Sequence, residues 1–183
     1  MLEIVARIAG ETCEGVKTRA AIGQRAHDTI EFVDLRRDEE AIPEALQHMI
    51  DEAFAAINNV RGWWSGDIDG DTDRLGARWT YRYKDIHYSK QQIVELTPGK
   101  RVTWRVLDSR LSFIEDKEEW NGTTITFDIA TRGDKTEVRF THVGLSPDNE
   151  CFDACNDAWG SYIESSLRDL IESGAGAPNP KEY

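Results

Sequence analysis

Between Trp79 and His142 the chain passes through five stretches of apolar and polar alternation, and a long apolar helical stripe follows them. Side chains on a strand point alternately to the two faces of a sheet, so each stretch gives one apolar face. Trp79, Tyr81 and Tyr83 share a face, against Arg78, Thr80, Arg82 and Lys84. The next run, His87 to Leu96, is less cleanly sorted. Val102, Trp104 and Val106 alternate with Arg101, Thr103 and Arg105, and Ile125, Phe127 and Ile129 with Thr124, Thr126 and Asp128. Val138, Phe140 and His142 share the last face. Thr97-Pro98-Gly99-Lys100 fits a type II turn, with proline at its second position and glycine supplying positive φ at its third. A short strand over 111–115 leads to Asn121-Gly122, a two-residue hairpin signal, and Arg132-Gly133-Asp134 turns into the last strand. The pattern predicts an antiparallel meander with one apolar face.

The final helix is the clearest element. Ser146 can cap it, Pro147 suits its first turn, and Asp148 and Glu150 favour its positive end. Phe152, Cys155, Trp159, Tyr162, Ile163, Leu167 and Leu170 form its stripe, and Gly174 is placed to end it. A second helix is expected over 43–58, opened by Pro43 and carrying Leu46, Ile50, Phe54 and Ile57. Residues 1–27 hold no persistent period, and Thr29 to Leu35 is the one strand candidate before that helix. The expected division is an N-terminal segment over 1–27, one domain over 28–174 and a loose tail over 175–183.

One helix is only ~10–12 Å wide, narrower than a sheet of several strands. If the sheet curls around it, close packing can fail at one end. The candidate inner face carries Trp79, Tyr81, Tyr83, Trp104, Phe127, Phe140 and His142, opposite Phe152, Cys155 and Trp159 on the helix. Apolar walls with a few polar tips describe a small-molecule site. The same side chains could instead fill a solid core, and the sequence leaves both open. Trp63 and Trp64 are expected to cap one end of the sheet or to gate the cavity.

Composition narrows the partners. The 183 residues carry a net charge of −12, which disfavours a nucleic-acid partner. No stretch approaches the ~20 apolar residues of a membrane helix, and Glu3 and Arg7 interrupt the apolar start, so membrane insertion and secretion are not expected. The expected compartment is the cytoplasm. Three cysteines, Cys13, Cys151 and Cys155, are too few for a disulfide framework.

Several stretches, taken in order, resemble one family: NVRGWWSGDIDG (59–70), LTPGKRVTWRV (96–106), EWNGTTITFDI (119–129), TEVRFTHVGL (136–145) and ECFDACNDAWGSYIESSL (150–167). Over about residues 51–174 the chain is similar to the SRPBCC superfamily. Within it, the likeness is to bacterial proteins related to the C-terminal domain of the heat-shock-protein-90 ATPase activator. The resemblance implies an α+β helix-grip (START-like) fold, a curved antiparallel sheet wrapped around a long C-terminal helix. It also implies a cavity for lipids, hormones or polyketides, with a few relatives acting as cyclases. A chaperone partner follows from the resemblance only weakly, and a homodimer stays open.

No nucleophile elbow, phosphate loop or dinucleotide fingerprint is present. His142 is the one candidate acid–base residue, weighed against a histidine satisfied in the core. Cys151 and Cys155 lie four apart on one helix face. With His142 they give three zinc ligands but no fourth, so packing is the preferred reading over a metal or a reactive thiol. Asp67, Asp69, Asp71 and Asp73 miss the calcium-loop spacing and read as a solvated turn. Neither metal nor cofactor is expected. The function expected is binding of a small hydrophobic or aromatic molecule, with protein interaction or cyclase and hydrolase chemistry as alternatives.

Overall fold

The computed structural model describes residues 1–8 and 42–181, so the strand candidate over 29–35 and Cys13 lie outside the described residues. One antiparallel sheet holds seven strands: β1 (Leu2–Ile8), β2 (Ile68–Gly70), β3 (Arg78–Tyr83), β4 (His87–Thr97), β5 (Arg101–Leu111), β6 (Thr124–Arg132) and β7 (Lys135–Val143). Their order is β1-β7-β6-β5-β4-β3-β2. Strands β3 to β7 are the expected meander. The helices are α1 (Glu44–Asn58), α2 (Val60–Trp63), α3 (Phe152–Ser161) and α4 (Arg168–Ser173), with a π-helical stretch (Tyr162–Leu167) joining the last two into one rod. This is the expected α+β helix-grip architecture.

The meander is extended at both edges. Residues 1–27 show no persistent period in the sequence, but Leu2, Ile4, Ala6 and Ile8 are buried and β1 pairs with β7 from Leu2↔His142 to Ile8↔Thr136. Arg7 and Glu3 face outward and pair with Glu137 and Arg139. At the other edge, part of the acidic stretch expected to be a turn is strand β2, with Ile68 buried opposite Tyr81. Helix α1 starts one residue after Pro43, as expected, and packs on β5, β6 and β7.

Three expectations fail around the β5–β6 connection and the last helix. No strand forms over 111–115. Instead β5 runs to Leu111 along β4, its pairing with β6 reaches only Arg105↔Thr124, and residues 112–123 make a loop. Gly122 takes φ +77° there and donates to the Val106 carbonyl at 3.0 Å, so Asn121-Gly122 closes a loop, not a two-residue hairpin. The rod begins at Phe152, not beside Ser146. Asn149 Oδ1 accepts from the Ser146 N–H at 2.7 Å, which holds 146–149 in a turn. The helix start is capped from the loop, where Glu119 accepts the Glu150 and Cys151 N–H groups at 2.6 and 3.0 Å. Burial alone would raise the Glu119 carboxyl; those bonds outweigh it and hold it below the usual range.

Along the rod, buried residues fall every four positions: Cys151, Cys155, Trp159, Ile163, Leu167 and Ile171. In a regular α-helix that spacing drifts by about 40° per step, because a turn takes 3.6 residues. The wider π turns take up part of the drift and keep the stripe on the sheet. Gly174 ends the rod at φ +75°, as expected. The segment after it is not loose. Asn179 bridges Ser65, its N–H donates to the Trp64 carbonyl at 3.0 Å, and Ala177 N–H donates to Ser166 Oγ at 2.7 Å.

Candidate functional site

The residues expected to wall a cavity divide into two groups. Trp79, Trp104, Phe127 and Phe140 are essentially fully buried and pack on one another with Trp63. Trp104 lies 5.1 Å from Trp79 and 4.9 Å from Phe127 between ring centres. These side chains are solid core. Trp63, at 0% exposure, belongs to it too, and Trp64, at 2%, stacks on Trp104 and reaches from this core to the cavity beside it. Phe152 is half-buried against the core beside the rod's start.

Close packing does fail, at the end of the sheet formed by the β3–β4 hairpin and the 112–123 loop. A cavity of about 310 Å³ opens there between the hairpin, the loop and α3. Tyr81, Tyr83, Cys155 and Trp159 line it. Trp64, His87, Trp120 and Tyr162 complete its walls, and Ile86, Phe113, Ala154 and Ala158 form its exposed mouth. Burial pushes the Tyr81 and Tyr162 hydroxyls up, so both stay protonated and the walls carry no charge.

His87 was the less visible histidine and is the one at the cavity. Its ring stands edge-on between Tyr81 at 5.0 Å and Trp120 at 4.6 Å. Nε2 is sealed from water with no hydrogen-bond partner, and burial lowers the ring's pKa to about 3. Trp120 separates this histidine from His142, which stands 4.8 Å away on its other side. His142 does not line the cavity. Thr123 Oγ1 donates to the Trp120 carbonyl at 2.6 Å, so its hydroxyl proton is committed and His142 Nε2 must donate to it, at 2.9 Å. His142 is therefore a neutral core histidine with its Nδ1 sealed away from the site.

Trp120 is the residue that alternation could not find. It stands in the loop, stacks on Trp159 at 5.9 Å and donates Nε1–H to Cys151 Sγ at 3.2 Å. The Cys151 thiol is pushed up, first by its hydrogen bond with Cys155 and then by burial, so the helix start does not make it a thiolate. Among the described residues no group of three or more His, Cys, Asp or Glu side chains could hold a metal ion. A larger hollow of about 870 Å³ lies between α1, Ile8 and the end of α4. It has no aromatic wall, carries His48, Glu52 and Glu172, and borders the point where the described residues break off. The aromatic cavity is the better-formed site.

Residues 51–172, which include every residue of that cavity, match the family described as activator of Hsp90 ATPase homolog 1-like protein. The chain belongs to this family. The family's fold recurs in the solution structure of the Aha1 dimer from Colwellia psychrerythraea, 26% identical, with 69% of this chain and 90% of that chain covered and a TM-score of 0.56. Protein MLL2253 from Mesorhizobium loti is 13% identical over 67% of this chain and 87% of its own, at a TM-score of 0.52. DynU16, from the dynemicin biosynthetic locus, is 12% identical over 72% of this chain and 46% of its own, at 0.51. No curated protein matches. Among the described residues no helix is long and apolar enough to cross a membrane.

Proposed function

We propose that the chain binds a small apolar or aromatic molecule in the cavity between α3, the β3–β4 hairpin and the 112–123 loop. The observation that carries this reading is an aromatic-walled opening of about 310 Å³ beside a close-packed aromatic core. That volume equals about ten waters at roughly 30 Å³ each, so the ligand is small, with one or two rings. It stands at the lower end of small-molecule sites, which span roughly 300–1,000 Å³. Placement of a relative in a biosynthetic locus supports small-molecule business for the fold. His142 plays no acid–base part in this reading, because it does not line the cavity.

The test is a titration with prodan, a neutral two-ring naphthalene dye that brightens when desolvated. Saturable binding at one site is expected. Ala158→Trp places an indole across the mouth at an exposed helix position and should weaken binding at least about tenfold, about 1.4 kcal/mol, with little change in melting temperature. Flat fluorescence, or full binding by Ala158→Trp, would remove this reading.

A dimer is a second reading, favoured by the Aha1 dimer among the similar structures. Sedimentation equilibrium across a concentration series checks it; a constant monomer mass would exclude it. A chaperone partner is suggested by the family description alone.

A further inference from the structure

The cavity mouth lies beside the one described hollow in which cations outnumber carboxylates. This second concavity, about 440 Å³, is lined by Arg82, Lys84, Arg110 and Lys117, against Asp85 and Asp108. Four cations to two carboxylates is a local reversal in a chain of net charge −12. Arg82 is held on this face by Tyr88, whose ring centre lies 5.1 Å from the guanidinium. Arg110 approaches Glu118 at 3.8 Å, but both side chains are more than half exposed, so the carboxylate cancels little of its field. Distant acidic residues matter less still, because exposed charges are screened beyond about 8–10 Å.

Only a thin ridge divides this shelf from the aromatic cavity. His87 lines both. On either side of it, chain neighbours face opposite ways. Ile86 and Phe113 line the apolar mouth, while Asp85 and Ser112 line the shelf. The Ser112 N–H donates to the Ile86 carbonyl at 2.9 Å and pins the two halves of the ridge together. Because consecutive residues of one chain line the two hollows, a ring seated in the cavity has the shelf at its edge.

We propose that the ligand is an anionic amphiphile: an aryl body in the aromatic cavity, carrying on a short arm a carboxylate that sits over the Arg82–Lys117 shelf. This rests on the cavity reading above and adds the charge and polarity of the ligand to it. A neutral aromatic molecule would use half of the paired arrangement. A free inorganic anion would meet the shelf alone, without the mouth beside it.

The experiment compares a naphthylbutanoate with its methyl ester by calorimetric titration of the full chain. The two share one ring system and one arm and differ in charge. The acid should bind roughly three- to tenfold tighter than the ester, the gain of one or two exposed ion pairs. At about 1 M salt, where the Debye length is about 3 Å, that advantage should shrink towards one. Reversing the shelf with Arg110→Glu and Lys117→Glu should bring the ratio of the two affinities to one or below. Melting temperature and circular dichroism report whether the double variant folds; if it does not, Lys117→Gln alone, at an exposed loop residue, must lower the ratio. Equal affinities, or an advantage that survives the reversal, overturn the proposal. If the ester binds and the acid gains nothing, the cavity stands and its anionic ligand falls. If neither binds, the cavity reading falls as well.

Discussion

Trp104→Ala is expected to lower folding stability by about 3–5 kcal/mol, the cost of truncating a fully buried aromatic ring. The position has no route to relief. Trp104 is 0% exposed, and Trp63, Trp64, Trp79 and Phe127 stand around it at 6.3, 6.3, 5.1 and 4.9 Å between ring centres. Rigid rings from three elements collapse poorly into a hole, so most of the cavity cost persists. Against a total stability of about 5–15 kcal/mol, the change is large. Trp104→Phe separates packing from polarity. The Trp104 Nε1–H is buried with no partner. Removing such a donor relieves about 1–3 kcal/mol, which offsets part of the lost volume, so the phenylalanine variant should lose less than about 2 kcal/mol. Urea denaturation of the three proteins checks both values. An alanine variant that loses under about 1 kcal/mol would mean that this cluster is not a rigid core. The same hole would also enlarge the ligand cavity, because Trp64 stacks on Trp104 and forms the cavity wall.

The sheet was legible wherever each strand keeps one apolar face and turns tightly. β3, β5, β6 and β7 do so, and the glycines at 99 and 133 take the positive φ their turns require. β4 was harder because its inward face is polar. Ser89 and Gln91 are fully buried, Gln91 Nε2 donates to Ser89 Oγ at 2.7 Å while Gln91 Oε1 has no partner, and bulges at Lys90/Gln91 and Ile93/Glu95 shift the parity. That blurring hid His87, the first inward residue of the strand. β1 was obscured by apolar pairs such as Ile4-Val5, and its partner β7 lies far along the chain. Alternation reports which face a side chain takes and not how far along the strand it sits. Trp79 and Tyr81 share a face, yet Trp79 fills the core and Tyr81 walls the cavity two residues nearer the hairpin. Trp120 needed tertiary information altogether. Its place depends on Glu119 capping a helix that begins more than thirty residues later.

Acidification from about pH 6.5 to about 4.5 is expected to destabilise the fold by roughly 2–5 kcal/mol, through the two buried histidines. Burial lowers His87 to about 3, and burial together with the nearby His87 lowers His142 to about 3. In the unfolded chain both titrate near 6.5, so over this interval only the unfolded state takes up their protons. Their contribution is fully present above about 6.5 and is lost as pH falls towards the folded value, by at most about 1.4 kcal/mol per unit for each ring. The carboxylates act in the same direction but lower down. Burial would raise Glu137, but Arg7, Arg132 and Arg139 outweigh it and hold it below its ordinary range, so it joins only beneath about pH 4.5. Between those limits the loss belongs to the histidines. The test is urea denaturation across the interval for the parent chain, His142→Gln and His87→Phe. Glutamine can still donate to Thr123 Oγ1, and phenylalanine keeps the edge-on contact with Trp120. Each variant should lose about half of the pH slope, and the pair together nearly all of it. An undiminished slope in the double variant would place the acid sensitivity elsewhere.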